Sequence, residues 1–284
     1  MSEPLPAPRE ATWRDGVPPA LPRPQGLRDW LRVARRLAPA VLVLLLGVLL
    51  ILPLRAAERL VHGPRRPWCG PHVQIVCRLV LACLGIGWRR EGQPMRQPGA
   101  VVANHSSWLD ILVMNAALPV FFVSKAEVAG WPGINILTRV TDTHFVTRDP
   151  RLARAQAREL AQRLRHGHRL LFFPEGTSTD GRRVLPFKPT LFQAFLGDDM
   201  PAGLAIQPMS VLYTAPAGED PRFYGWWSDM ELGPHLLAVL SAPRQGHVLV
   251  RLHPPIPAEG HDRKSLSAAC QSAVSSSFTT LPDC

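Results

Sequence analysis

Residues 100–110 read AVVANHSSWLD. Four small apolar residues, with the β-branched Val101 and Val102 at their centre, favour an extended chain. Asn104 to Ser107 then supply turn and helix-capping side chains. From Trp108 to Ala117 the apolar residues recur at helical spacing, so the stretch reads as strand, turn and helix. The texture returns at RLLFFPEGTS, residues 169–178, where an apolar run meets Pro174 and Gly176. Working outward, strands are predicted at 100–103, 120–123, 143–146, 169–173, 204–212 and 247–252. Helices are predicted at 108–117, 132–139, 151–165, 190–196, 234–240 and 263–277. Strands separated by helices of this length imply an α/β fold, a largely parallel sheet flanked by helices. In such sheets the chemistry gathers where strands end at their carboxyl side.

The chain has 284 residues, 46% of them hydrophobic, with a formal net charge of +10. That content fills a core and excludes intrinsic disorder as the dominant state. Of the 32 basic residues only Lys125, Lys188 and Lys264 are lysines. An arginine-rich balance favours an anionic surface, either nucleic acid or bilayer phosphates. The 5 cysteines show no C-x-x-C spacing, so neither a disulfide framework nor a zinc knuckle is indicated, and a reducing compartment is the simplest reading.

Residues 1–26, rich in Pro, Ala and Arg, read as a flexible tail. Leu37 to Leu54 is uncharged and mostly aliphatic, just long enough to enter or cross a hydrocarbon layer. A signal peptide and a buried core helix pass the same test, but the long leader and the flanking arginines favour membrane attachment. Arginines lie on both sides of the run, so a span and a helix that dips in and returns both remain open. Residues 72–88 form a second apolar segment around Arg78, and the two would pair as a hairpin with their arginines at the headgroups. The expected division is thus 1–26 tail, 27–88 membrane-anchoring helices and 89–284 catalytic domain. Deleting the anchor is expected to release the catalytic domain. Membrane attachment makes the bilayer, rather than nucleic acid, the anionic partner.

His105 falls in the strand-to-helix turn and Asp110 near the start of the helix, which Ser106 or Ser107 would cap. A carboxylate there is favoured by the helix dipole, by ~0.3–1 kcal/mol. It can hold one imidazole N–H, leaving the other nitrogen as a base. The alternative is a histidine that merely ends a strand and an aspartate that decorates a helix. Glu175 and Gly176 stand at the end of another strand, where an acid and close backbone approach suit a site. His166 and His168 lack an acidic third ligand, so no metal is expected. Trp226 and Trp227 read equally as an interfacial pair and as part of a binding site.

NHSSWLD followed by FPEGT resembles the glycerolipid acyltransferase family, membrane enzymes that acylate lysophosphatidic acid and related lysolipids. The resemblance covers roughly residues 85–255 and includes two further blocks before residue 200: VSKAEVAGWPGIN at 123–135 and FVTR at 145–148. A fourth, IQPMSV at 206–211, resembles the family's proline-containing block. It implies that His105 is the general base and Asp110 its orienting partner, with Lys125, Arg148, Glu175, Gly176 and Thr177 shaping the acceptor site. Amides near Gly176 and Thr177 would help stabilise the oxyanion. The donor would be acyl carrier protein or coenzyme A thioester, with no further cofactor. The arginine that often follows E-G-T in lysophosphatidic acid acyltransferases is replaced by Ser178. FYGWWSDM, residues 223–230, resembles bacterial lyso-ornithine lipid acyltransferases, whose acceptor lacks phosphate. Asp229 would then face the acceptor's ammonium group. Lysophosphatidic acid acylation is the alternative acceptor reading, and a nonenzymatic membrane-binding protein the alternative of another class. The resemblance places the chain at a bacterial inner membrane, with its catalytic domain on the cytoplasmic side.

Overall fold

The structure is a computed structural model that describes residues 13, 16–125, 143–146, 151 and 153–279. The chain opens with α1 (Leu27–His62), 36 residues long and interrupted only by Pro39 and Pro53. At ~1.5 Å per residue it is about 54 Å long. A short turn at Gly63–Arg65 returns the chain into α2 (Cys69–Leu84), which packs along α1. Gly47 sets how close the two helices come: a Cβ there would lie 2.8 Å from a Val76 methyl. The His72 ring adds a hydrogen bond to the Gly47 carbonyl at 2.9 Å.

The remaining elements are β1 (Gly87–Glu91), β2 (Gly99–Ala103), α3 (Asp110–Ala117), β3 (Phe121–Lys125), β4 (His144–Val146) and α4 (Ala153–Arg165). After them come β5 (Leu170–Phe172), β6 (Ala205–Thr214), α5 (Leu232–Ser241), β7 (His247–Leu252), β8 (Ile256–Pro257) and α6 (Arg263–Ser275). Among the described residues the strands form one sheet in the order β1-β7-β6-β2-β5-β3-β4, with β8 beside the start of β6. β2 lies parallel to both β5 and β6, and β3 to β4 and β5; only β7 and β8 run antiparallel to β6. The expected α/β class with a largely parallel, helix-flanked sheet holds.

Alternation along the strands divides the core in two. Val101, Ala103, Met209, Val211 and Tyr213 face one cluster, which α2, α3 and α5 cover. Ala100, Val102, Leu170, Phe172 and Ile206 face the other, under α4 and α6. Val33 and Ala40 of α1 and Leu81 and Leu84 of α2 are buried in the first cluster, so the helix pair shares its core with the sheet. Arg36, 5% exposed, donates from Nη1 to the carbonyls of Leu240 and Ala242 at 2.7 Å each, and Arg32 donates to Ser241 at 3.0 Å. Together they close the C-terminus of α5, whose last carbonyls have no partner within the helix. Arg78 and Arg90 do the same for α3, donating to Ala116 and Ala117 at 2.9 and 2.8 Å. These arginines therefore do not sit at headgroups as expected from the sequence; helix ends take them first. Deleting residues 27–88 would take Val33, Ala40, Leu81 and Leu84 out of the first cluster and Gly87 and Trp88 out of β1.

The outward surface of the pair is apolar. Leu42, Leu45, Leu49 and Leu52 of α1 and Ile75 and Leu79 of α2 are exposed. α1 contains the one described segment long and apolar enough to cross a membrane.

Three local readings change. The helix expected at 190–196 is two separate 3₁₀ turns, Pro189–Leu191 and Gln193–Phe195. Pro189 starts the first turn, and burial of Phe192 and Phe195 three residues apart suits the tighter winding. The serine cap sits earlier than the helix proper: α3 begins at Asp110, and the Ser107 hydroxyl accepts the Leu109 N–H at 3.3 Å in the turn before it. β1 was not expected at all. The helix expected at 132–139 lies outside the described residues.

Candidate active site

The strand β2 ends at Ala103, and Asn104 explains how. Its side-chain amide donates to the Val211 carbonyl at 3.0 Å and its oxygen accepts the Val211 N–H at 2.8 Å. The side chain thus continues the ladder to β6 while the main chain turns away. His105 is freed into the turn, with its side chain 24% exposed. Its ring stacks on Phe173, just past the end of β5, with centroids 4.1 Å apart.

Asp110 is fully buried and accepts four hydrogen bonds. Oδ2 takes His105 Nδ1 at 2.7 Å, the Ser106 N–H at 2.8 Å and the Ser107 N–H at 3.1 Å; Oδ1 takes the Tyr213 hydroxyl at 2.7 Å. With Nδ1–H donated to a carboxylate, the neutral imidazole presents Nε2 as its lone-pair nitrogen. Burial, and then the charge of Asp110, push the Tyr213 phenol well above its ordinary value, so it remains a donor.

Glu175 locks this turn to its neighbour. It is 2% exposed, and Oε1 accepts the His105 N–H while Oε2 accepts the Leu185 N–H, both at 2.8 Å. Burial pushes its pKa up to about 8, against the two N–H donors that favour the charged form. Both oxygens are engaged with the main chain, so Glu175 acts on the site through the position of His105. Thr179 N–H returns to the His105 carbonyl at 2.9 Å and closes the loop.

Gly176 has φ +74°, and a Cβ on it would fall 2.5 Å from Lys188 Nζ. Its N–H already bonds the Phe173 carbonyl at 3.1 Å, which removes it from the expected oxyanion donors. Thr177 is half-buried, and its hydroxyl accepts the Trp13 N–H at 3.3 Å. Lys125 occupies the carboxyl end of β3, its backbone paired with Val146. The Lys125 side chain and the whole of Arg148 lie outside the described residues.

A second wall comes from residues 223–230. The Trp226 N–H bonds the Ser106 carbonyl at 2.8 Å, and Trp108 Nε1–H donates to His235 Nδ1 at 2.9 Å. Burial lowers the His235 pKa to about 4, so it stays neutral and its Nε2–H faces the Phe223 carbonyl at 3.2 Å. Trp227 is 2% exposed, which removes it from any interfacial pair. Asp229 is exposed, three residues beyond the amide that meets Ser106. Among the described residues no group of three metal-ligating side chains occurs.

The sequence pointed to His105, Asp110 and Glu175, which the fold brings together, but not to Tyr213, Asn104 or Phe173. Asn104 and Phe173 adjoin the quoted motifs. Tyr213 carries one available signal: it is one of only 2 tyrosines in the chain.

Residues 89–212 match the family model described as Acyltransferase. The chain is 51% identical to a lyso-ornithine lipid O-acyltransferase of Rhodobacter capsulatus over 265 residues, 93% of this chain and 96% of that one. It is 38% identical to the protein of that name from Pseudomonas aeruginosa, over 68% of this chain and 72% of that one. The fold is similar to the crystal structure of the 1-acyl-sn-glycerophosphate (LPA) acyltransferase PlsC from Thermotoga maritima. That likeness has a TM-score of 0.64 at 20% identity and covers 91% of this chain and 99% of the other.

Proposed function

The chain belongs to the acyltransferase family, and from that premise we propose that it moves a fatty acyl group from a thioester to the hydroxyl of lyso-ornithine lipid. The single observation that carries the chemistry is His105 at the end of β2, held by Asp110 at 2.7 Å through Nδ1, with no partner on Nε2 among the described residues. Nε2 takes the proton of the acceptor hydroxyl as its oxygen attacks the thioester carbonyl. The tetrahedral intermediate then collapses, the C–S bond breaks, and the imidazolium returns the proton to the leaving thiolate. Asp110 fixes the tautomer and stabilises the imidazolium. A positioned base of this kind contributes ~10²–10⁴ in rate. The rest comes from orientation and from stabilisation of the oxyanion.

Three considerations support the acceptor. The 51% identical relative carries that name. Ser178 stands where a phosphate-pairing arginine would be expected. Asp229, exposed and close in sequence to the wall at Trp226, can meet the ornithine ammonium. Acyl carrier protein or coenzyme A supplies the thioester. Catalysis takes place at a bacterial inner membrane on its cytoplasmic side, where both donors occur, and the exposed apolar surface of α1 and α2 suits attachment there.

The test is acyl transfer by the purified protein in mixed micelles. Lyso-ornithine lipid and lysophosphatidic acid are each paired with both thioesters. A higher kcat/KM for lyso-ornithine lipid is expected; equal or better transfer to lysophosphatidic acid overturns the acceptor assignment.

A further inference from the structure

Within residues 1–26, which read as a flexible tail, two described residues, Trp13 and Val17, make contacts beside the candidate active site. Trp13 donates its main-chain N–H to Thr177 Oγ1 at 3.3 Å, in the loop that follows Glu175. Its ring lies 6.1 Å from that of Trp227, and the Arg183 guanidinium stands 5.1 Å over its centroid. Farther along, Arg222 Nη1 donates to the Val17 carbonyl at 3.2 Å, while the same guanidinium lies 5.9 Å from the Trp227 ring and pairs with Asp220. Trp13 and Val17 therefore each meet a wall of the site, Trp13 at the 175–183 loop and Val17 at the 222–230 segment. The indole N–H groups of Trp226 and Trp227 are buried and meet no acceptor among the described residues. Buried donors of this kind are normally satisfied, so they suit a ligand carrying carbonyl or carboxylate oxygens.

We propose that Trp13 is a specificity-determining positioning residue that seats the amide- and carboxylate-bearing headgroup of the lysolipid beside the 175–183 loop. This rests on the acceptor reading above. The described contacts of Trp13 are with Thr177, Trp227 and Arg183 and not with His105, so it governs acceptor binding rather than the chemical step. Arg222 is the clasp that holds the segment in place.

The experiment compares wild type with Trp13→Ala, Trp13→Phe, Arg222→Gln and the Trp13→Ala/Arg222→Gln double variant, measuring kcat and the KM of acceptor and donor separately. Trp13→Ala is expected to raise the acceptor KM by ~10-fold, the order lost when a half-buried aromatic contact is truncated. The kcat and donor KM should stay within about twofold, and Trp13→Phe should recover most of the loss. Arg222→Gln should act in the same direction, and the double variant should fall short of the sum, because both changes release one segment. An unchanged acceptor KM, a joint change in kcat and both KM values, or faster turnover on loss of Trp13 would each overturn the proposal. The series is run with whichever lysolipid the wild-type protein prefers. Preference for lysophosphatidic acid therefore refutes the acceptor reading, while the acceptor KM still decides the role of Trp13.

Discussion

Replacing Asp110 by asparagine removes one charge and almost no volume. The carboxylate accepts four hydrogen bonds, three at Oδ2 and one at Oδ1. An asparagine can put its oxygen where Oδ2 was, keeping His105 Nδ1–H and the amides of Ser106 and Ser107. Its NH₂ then faces Tyr213, whose hydroxyl rotates to accept. The turn survives, but the imidazolium that forms when His105 takes a proton loses its counter-charge. A hydrogen bond to a charged group contributes ~1.5–3 kcal/mol, which corresponds to about a 10- to 150-fold slower chemical step. Asp110→Ala is a different perturbation, because it leaves four buried donors without an acceptor. At ~1–3 kcal/mol each, the penalty of about 4–12 kcal/mol rivals the whole stability of a domain. Single-turnover acyl transfer and thermal unfolding on the two variants separate these effects. The expectation is a folded, slow Asn variant and an Ala variant that does not fold. An Asn variant within twofold of wild type would refute the role given to the charge, and one that fails to fold would refute the geometry.

Other consequences are smaller in scope. Tyr213→Phe removes one donor to Asp110, and its melting temperature should fall by the loss of ~1.5–3 kcal/mol while the Asn104 and Glu175 contacts persist. For Glu175 the folded pKa, about 8, lies above its ordinary value of 4.5, so the folded state holds more protons than the unfolded state between those values. Stability from this group is therefore greatest below about 4.5 and declines as pH rises to about 8; thermal scans of wild type and Glu175→Gln should show wild type losing ground between pH 6 and 8, and parallel curves would contradict the shift. Arginine at both Leu45 and Leu49, exposed on α1, should move the protein from the membrane pellet toward the supernatant, since each costs ~2.5–3.5 kcal/mol at a helix centre within the bilayer. Asp229→Asn should lower kcat/KM for lyso-ornithine lipid selectively, by only ~1.5- to 5-fold, because an exposed pair contributes ~0.2–1 kcal/mol.

The parts of this fold that the sequence announces are those where one short stretch satisfies its own requirements. β2 and β5 are short apolar runs bounded by turn residues and are buried throughout, while β7 alternates buried and more exposed positions as its HVLVRL pattern implies. β1 escaped because GWRRE is a polar edge strand. It pairs only with β7, and its register depends on a segment about 160 residues away. The apolar texture of α1 and α2 was legible, but not which face turns inward. That choice depends on the carbonyl ends of α5 and α3, which capture Arg36, Arg78 and Arg90. The candidate site divides in the same way. His105 and Asp110 are five residues apart and could be related by local geometry. Tyr213 reaches Asp110 only because β6 lies parallel to β2, and Trp13 reaches Thr177 only across the finished molecule.

The most direct test of the central claim is the single-turnover rate of His105→Ala with an acyl thioester and lyso-ornithine lipid, taken at saturating substrate and with thermal unfolding recorded on the same preparation. Among the described residues the His105 ring hydrogen-bonds Asp110 and stacks on Phe173, so the variant should fold and bind membranes as wild type does. Its rate should fall by at least ~10²-fold, with no recovery as pH is raised from 6 to 9. A folded His105→Ala protein that transfers acyl groups at near wild-type rate would contradict the assignment of His105 as the base.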